Sequence, residues 1–225
     1  MDRLYRTRLL FGDTAVEHIQ NATVMVVGCG AVGSFAIEAL ARSGIGHIVV
    51  VDFDKIEETN INRQLFATVS GLGQSKVDVA ESRIHDICPD IKVSKFNMFW
   101  DENTDIDLRP DFIIDAIDTV PSKVALAKWA QAHNIPFIAS MGAALKTDIT
   151  KIRIGNLYET SVCPLAGRVR KAARDMGLDD YPVVFSTEKS APAVGHAKNM
   201  GSIITVTGTF GLMLAGHVIE HLIKK

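Results

Sequence analysis

The 225-residue sequence predicts an α/β fold: a Rossmann-like, doubly wound and mostly parallel sheet. Three observations lead to this prediction. Short apolar runs alternate with segments whose apolar residues recur at helical spacing, as strand–helix–strand units require. A glycine-rich turn joins the first apolar run to the first helical segment. The composition, with 47% hydrophobic and 22% charged residues, is sufficient for a well-packed core.

The first strand–helix–strand unit spans residues 24–54 and organises the rest of the chain. An apolar run ends at GCGAVG (28–33), a helical segment follows, and a second apolar run (47–51) ends on Asp52. Glycines in such a turn allow the backbone to approach a phosphate, and the helix N-terminus presents free N–H groups to it. An acid at the end of the second strand can bind ribose hydroxyls. The predicted nucleotide-loop residues are Gly28, Gly30, Ala31 and Gly33.

The N-terminal arm carries arginines, including Arg6 and Arg8, ahead of a short helix that we expect Asp13 and Thr14 to cap. This arm is either a disordered tail or a donor of arginines to a site. The segment 53–64 is too polar for a core strand. A helix is then expected up to Pro89, with an apolar face at Val77, Ala80, Ile84 and Ile87.

The alternation continues through the middle of the chain. Strands are predicted at 91–96, 112–116 and 135–140, with a helix at 123–133. The second of these strands delivers Asp115 and Asp118 at its carboxyl end, which is where ligands bind in open parallel sheets.

The C-terminal part has a different pattern. We expect strands at 151–154 and 182–185, a basic amphipathic helix at 163–176, a mobile loop at 192–202, and a buried apolar helix at 202–223. Charged and imidazole groups interrupt the last segment, which argues against a membrane span. We therefore divide the chain into a Rossmann-like nucleotide-binding domain with its N-terminal arm, residues 1–155, and a substrate-recognition extension, residues 156–225, that completes the same globule.

Charge and cysteine content exclude several classes of protein. The net charge of −2 gives no global attraction to nucleic acid, so any such contact would be local. The three cysteines form no C-x-x-C pair, which disfavours a zinc site and a disulfide framework. The charged N-terminus does not resemble a signal peptide, and we expect a cytoplasmic protein without stable membrane insertion.

Several polar residues are expected to converge near the glycine loop, because they follow the ends of neighbouring strands. A nicotinamide site does not need so many charges, whereas chemistry on a triphosphate does. Two of the cations, Arg63 and Lys76, could neutralise phosphate charge, and Asp118 could hold Mg²⁺. The set is Asp52, Asn60, Arg63, Gln64, Lys76 and Asp118.

These motifs resemble the ThiF/MoeB superfamily of ATP-dependent adenylating enzymes. The resemblance rests on GCGAVGS (28–34), VVDFD (50–54), TNINRQ (59–64), GQSK (73–76) and DAID (115–118). It implies ATP and Mg²⁺ as cofactors, a homodimer in which Arg6 or Arg8 reaches the partner's site, and attack of a substrate carboxylate on the α-phosphate. The nucleotide and metal positions that it implies are the glycine loop, Asp52, Asp54, Asn60, Arg63, Gln64, Lys76 and, for magnesium, Asp118.

Further motifs lie in the C-terminal part: MGA (141–143), TDIT (147–150), PL (164–165), RVR (168–170), VFSTE (184–188) and GTFG (208–211). They resemble those of the tRNA threonylcarbamoyladenosine dehydratase branch, which implies tRNA as substrate and cyclisation of the activated threonyl carboxylate. Arg168, Arg170 and Arg174 could contact tRNA phosphates or form a solvated face. Activation of a ubiquitin-like sulfur-carrier protein remains the alternative, and a sulfur-relay partner would accompany it. A dehydrogenase and a non-catalytic nucleotide-binding scaffold rank behind both.

Two further features have alternative interpretations. Cys163 stands where the resemblance implies an aspartate before Pro-Leu, and it is either a nucleophilic thiol near arginines or a packing residue. His217 and His221, one helical turn apart, could bind a metal, but a third ligand at useful spacing is lacking, so packing or surface roles are favoured.

Overall fold

A computed structural model describes residues 2–192 and 200–224. Its seven strands form one sheet in the order β3-β2-β1-β4-β5-β7-β6, in which only the β6–β7 pair is antiparallel. The predicted mostly parallel α/β fold is therefore confirmed. The strands are Thr23–Val27 (β1), His47–Val51 (β2), Lys92–Phe96 (β3), Phe112–Asp115 (β4), Phe137–Ser140 (β5), Ile152–Asn156 (β6) and Pro182–Ser186 (β7).

Helices cover both faces of the sheet. They are Tyr5–Phe11 (α1), Asp13–Asn21 (α2), Gly33–Ser43 (α3), Lys76–Ile87 (α4), Val120–Ala132 (α5), Pro164–Asp175 (α6) and Ile204–Leu222 (α7). Alternate residues of one strand enter opposite cores: Val24 and Val26 pack with α3, α4 and α7, whereas Met25 and Val27 pack with α5 and α6. This explains why the central strands are apolar along their whole length.

The strand order reverses between β1 and β4, which are both central and hydrogen-bonded to each other. The first strand–helix–strand unit runs from β1 outward to β2, and the later units run the other way. The connections that follow β1 and β4 therefore run in opposite directions, which leaves a crevice at the carboxyl ends of these two strands. The sheet also continues past residue 155, because β6 ends at Asn156 and β7 pairs with β5.

The N-terminal segment differs from the prediction in two respects. Residues Tyr5–Phe11 are helical, so the arm is not a disordered tail. The predicted cap of the next helix was wrong, because Gly12, at a φ of 84°, is its N-cap and Asp13 already lies in the first turn. Helix α1 buries none of its residues, and Tyr5, Leu9 and Leu10 are strongly exposed.

Helix α7 is a buried helix, as expected. It packs on α3 so closely that a Cβ at Gly211 would lie 2.3 Å from the carbonyl oxygen of Val32. No helix in the described part of the chain is long and apolar enough to cross a membrane. Most of the loop predicted at 192–202 lies outside the described residues, since the structure describes only 192 and 200–202 of it.

Candidate active site

A cavity of about 960 Å³ opens at the carboxyl ends of β1, β2, β4 and β5. The glycine loop, the polar segment after β2 and the loop after β4 form one half of it. The segment after β5 and the first turns of α6 form the other half. The predicted residues on its wall are Gly28, Gly30, Ala31, Asp52, Asp54, Asn60, Arg63, Gln64, Lys76, Asp118 and Arg168.

The glycine loop is shaped by close backbone contacts. Gly28 has a φ of 97°, and a Cβ there would lie 2.7 Å from the carbonyl oxygen of Ala116. A Cβ at Gly33 would lie 1.7 Å from the carbonyl oxygen of Gly28, so the start of α3 can approach the loop only with glycine. By contrast, the nearest atom to a Cβ at Gly30 is Gln64 Nε2, at 3.8 Å. Gly28 and Gly33 thus set the turn, whereas Gly30 borders open cavity.

Asp52 is held rigidly beside this loop. One carboxylate oxygen accepts the N–H of Cys29 at 2.6 Å, and the other accepts the N–H of Asp54 at 2.8 Å. Burial raises the pKa of Asp52, although the Lys76 ammonium and both backbone donors act in the opposite direction. An oriented carboxylate at the end of β2 is suited to accept hydrogen bonds from ribose hydroxyls.

Lys76 is a buried cation rather than part of an ordinary surface ion pair. It begins α4, its residue exposure is 5%, and its Nζ lies 2.7 Å from the Asp54 carboxylate. Asp54 thus orients a cation on the cavity wall. The ammonium of Lys76 is therefore shielded from solvent, although the Asp54 side chain is 47% exposed.

Arg63 and two amides complete the segment after β2. The Arg63 guanidinium donates to the carbonyl oxygen of Thr59 at 2.5 Å and to Asn62 Oδ1 at 2.9 Å, which leaves further N–H donors beside the cavity. Asn60 is buried and caps its own turn by accepting the N–H of Glu57. Gln64 is also buried, and its Oε1 accepts no hydrogen bond within the described part of the chain.

Asp118 is exposed at the cavity, three residues beyond the end of β4. Asp115, by contrast, is fully buried and pairs with the equally buried Lys123 at 2.9 Å. Lys123 Nζ also donates to the carbonyl oxygen of Ile117 at 2.9 Å, and the N–H of Ile117 donates to Asp115. Burial raises the pKa of Asp115, although Lys123 opposes that shift. The pair holds the turn that carries Asp118.

Sequence reasoning missed Lys123. The available signal was an aspartate at the end of an otherwise apolar strand, because a buried carboxylate requires a cation or several hydrogen-bond donors. A lysine eight positions later, near the start of the next helix, is the first cation that follows it along the chain.

The predicted arginines separate into two groups. Arg168 lies on the cavity wall. Arg170 instead donates to the hydroxyl and the carbonyl oxygen of Thr160, and Arg174 lies 4.8 Å from the ring centre of Tyr158. Neither of these two lies on the cavity wall within the described residues.

Arg6 and Arg8 lie on α1, away from the cavity wall. Arg8 has partners within its own chain, because it forms ion pairs with Asp2 at 2.8 Å and with Asp13 at 3.0 Å. Arg6 is exposed.

Cys163 and Cys29 are buried, and Cys163 also lines the cavity. Cys163 is 4% exposed, and its sulfur accepts the N–H of Ala166 as the N-cap of α6. Cys29 is buried, which raises the pKa of its thiol well above the usual range. His217 and His221 both contact the ring of Phe112. No group of three or more His, Cys, Asp or Glu side chains suited to a metal occurs in the described ranges.

The fold and cavity define a nucleotide-binding α/β protein, and a family comparison makes this specific. The model of the ThiF family matches residues 2–225, so the chain belongs to the ThiF family. It is 40% identical to the tRNA threonylcarbamoyladenosine dehydratase of Bacillus subtilis, over 97% of this chain and 94% of that one. It is 32% identical to the Escherichia coli enzyme of the same name, over 97% and 92% of the two chains.

Solved structures agree with the sequence comparison. The E. coli tRNA N6-threonylcarbamoyladenosine dehydratase TcdA in complex with ATP superposes with a TM-score of 0.93 at 33% identity, covering 99% of this chain and 94% of that one. A complex of the same protein with AMP superposes equally well. E. coli MccB with ATP shares the fold, with a TM-score of 0.68 at 22% identity over 100% of this chain and 64% of that one.

Proposed function

We propose that this protein is an ATP-dependent tRNA threonylcarbamoyladenosine dehydratase. The observation that carries the proposal is the ion pair between the buried Lys76 and the half-exposed Asp54, on the wall of a cavity that also contains the glycine loop and Asp52. A cation in that position serves a triphosphate, whereas a nicotinamide dinucleotide has no need of it. The similarity to named dehydratases over nearly the whole chain supports the same substrate.

ATP is proposed to lie along the glycine loop. Asp52 would bind the ribose, because its carboxylate is already oriented by two backbone donors. Asn60, Arg63, Gln64 and Lys76 would bind the phosphates through amide, guanidinium and ammonium groups that line the cavity. Arg63 retains free donors, and Lys76 is held inward by Asp54.

The chemical step begins when a carboxylate oxygen of the substrate attacks the α-phosphorus of ATP. A new P–O bond forms, the bond to pyrophosphate breaks, and the negative charge that develops on the phosphoryl oxygens is offset by Arg63 and Lys76. A nitrogen of the same substituent then attacks the acyl carbon, loses its proton and expels AMP. The net change is the loss of water from the nucleoside at the expense of ATP.

Magnesium is proposed as a second cofactor, with Asp118 as its protein ligand. A carboxylate is a suitable hard oxygen ligand, and Mg²⁺ commonly takes only one or two carboxylates and completes its shell with phosphate and water. Asp118 is the acid that remains exposed at the cavity, since Asp54 pairs with Lys76. When bound, the ion would withdraw charge from the phosphates.

The two parts of the chain are proposed to divide the work. Residues 1–155 bind ATP, and residues 156–225 contribute to recognition of the tRNA, with Arg168 as the basic side chain at the cavity. We further propose a cytoplasmic homodimer. The support for a dimer is α1, whose Tyr5, Leu9 and Leu10 are 61%, 71% and 73% exposed.

A carrier-protein substrate is the competing proposal, and it requires a ubiquitin-like protein with or without a sulfur-relay partner. Its support is similarity to the Drosophila sechellia adenylyltransferase and sulfurtransferase MOCS3, at 27% identity over 97% of this chain but only 45% of that protein. The Bacillus subtilis dehydratase has the higher identity to this chain, 40%, and the match covers 94% of its length, which favours the tRNA substrate.

The test is mass spectrometry of tRNA nucleosides after incubation with the purified protein, ATP and Mg²⁺. We expect ATP-dependent loss of water from threonylcarbamoyladenosine and release of one pyrophosphate per product. Arg63→Ala, Lys76→Ala and Asp118→Ala should each lower the rate about a hundred- to a thousandfold, the usual effect of removing one such electrostatic group.

The matched control is Lys55→Ala, because Lys55 is an exposed cation beside Asp54 that does not line the cavity. It should retain full rate, and melting temperatures should show that all four variants are folded. Unchanged nucleosides, together with pyrophosphate release only when a carrier protein is added, would replace the proposal with the competing one.

A further inference from the structure

We call the half of the cavity formed by the glycine loop and by the segments after β2 and β4 the nucleotide half. The other half, formed by the segment after β5 and the first turns of α6, differs from it in charge. The acids on the cavity wall, Asp52, Asp54 and Asp118, all belong to the nucleotide half. Among the described residues, the charged side chains on the wall of the other half are Lys146 and Arg168. This half is therefore cationic, although the whole chain carries a net charge of −2.

Lys146 is the buried cation of this half. It is 3% exposed, and its Nζ donates to the backbone carbonyl oxygen of Glu188 at 2.7 Å. The Glu188 carboxylate accepts the N–H groups of Asp148 and Thr147 at 3.0–3.1 Å; these donors and, more weakly, the charge of Lys146 lower its pKa. Lys146 forms no ion pair with a carboxylate in residues 2–192 and 200–224. An ammonium group has three donors, so a buried one with a single carbonyl acceptor can still bind an anion.

The backbone around Lys146 is strained. Leu145, directly before it, has a φ of 59°, and Val162, directly before the cavity residue Cys163, has a φ of 52°. Such conformations are unfavourable for branched side chains and persist only where the surroundings enforce them. At Leu145 the surroundings do so, because its N–H donates to Gly201 and its carbonyl oxygen accepts from Ala191. The residues that follow these two positions, Lys146 and Cys163, both line this half of the cavity.

We propose that Lys146 binds the carboxylate of the acceptor substrate before adenylation. This inference rests on the proposed function, which requires a carboxylate to approach the triphosphate of ATP. The substrate carboxylate and the triphosphate are both anions, so they repel each other at close range. A buried cation on the acceptor side of the cavity offsets this repulsion. Lys146 thereby selects an acceptor that ends in a carboxylate, and Arg168 remains for the more exposed part of the tRNA.

The test measures binding of two tRNAs in the presence of α,β-methylene-ATP. One tRNA bears threonylcarbamoyladenosine with a free carboxylate, and the other bears its methyl ester. We expect the wild-type protein to prefer the free carboxylate about ten- to a hundredfold, the usual effect of a charged hydrogen bond. Lys146→Met should lose this preference while binding of the ATP analogue is unchanged.

Two further variants make the result specific. Lys146→Gln retains a donor for the Glu188 carbonyl but lacks the charge, so it should lose the preference as well. Lys151→Met is the control, because that lysine lies on the same segment, pairs with Asp148 at 3.5 Å and does not line the cavity. It should keep the wild-type preference.

Failures of the two proposals can be told apart. If the wild-type protein binds the ATP analogue but neither tRNA, the proposed function fails and the role of Lys146 falls with it. If the wild-type protein prefers the carboxylate and either Lys146 variant, folded by its melting temperature, keeps that preference, the proposed function stands and the role of Lys146 is refuted.

Discussion

Removal of Lys123 should destabilise the protein strongly and in a pH-dependent manner. Asp115 and Lys123 are both fully buried and lie 2.9 Å apart. In Lys123→Met the carboxylate loses its cation, and the carbonyl oxygen of Ile117 loses a donor. Breaking a buried pair on one side costs about 3–5 kcal/mol, because the remaining charge is left uncompensated. We expect a fall of this size in the free energy of unfolding at pH 8.

The sign of the pH effect follows from the buried carboxyl. Burial already raises the pKa of Asp115 in the native protein, and loss of the ammonium raises it further. The folded variant then holds a proton that the unfolded chain releases above its ordinary pKa of about 3.9. The stability of the variant therefore falls as pH rises, by up to about 1.4 kcal/mol per pH unit until the folded-state pKa is reached.

Urea denaturation of the wild-type protein and the variant between pH 5 and pH 8 measures both effects. The difference in free energy of unfolding between the wild-type protein and the variant should be smallest at pH 5. The double variant Asp115→Asn, Lys123→Met should recover much of the lost stability at pH 8, since no unpaired charge remains. A deficit below about 1 kcal/mol at pH 8, or one that does not change with pH, would refute the reasoning.

Two other predictions concern assembly and the thiol. Leu9→Ser combined with Leu10→Ser should convert the proposed dimer to a monomer in light scattering, since the exposed apolar face of α1 would be lost. Arg6→Ala should lower turnover without lowering the melting temperature. A wild-type protein that is a monomer with full activity would contradict both predictions. Cys163→Ser should retain most activity, because serine is a good N-cap for α6 and cyclisation of an acyl adenylate needs no enzyme nucleophile; loss of product with continued pyrophosphate release would instead reveal a thiol step.

Local sequence was sufficient for the fold class and for the nucleotide half of the site. Strand and helix periods are properties of neighbouring residues, so the elements appear near their predicted limits, as β2 and α4 illustrate. The polar residues at the strand ends also converge as predicted, because parallel strands bring their carboxyl ends to one edge of the sheet. Asp52 and Asp118 reach the same cavity for this reason.

Local sequence was not sufficient where a side chain's environment depends on distant segments. The basic helix α6 presents Arg168 to the cavity but directs Arg170 to Thr160, and its charge pattern alone could not separate the two. Lys146 appeared to be an ordinary lysine until Glu188, Ala191 and Gly201 were placed around it and its neighbour Leu145.

The sequence by itself determined a parallel α/β sheet with a glycine loop and an acid at the end of the second strand. Those features arise from backbone sterics and hydrophobic period, which act over a few residues. Only the tertiary structure decided that Lys76, Lys123 and Lys146 are buried cations with separate partners. Burial, and with it the strength of each charge interaction, is set by segments far apart in the chain that exclude water together.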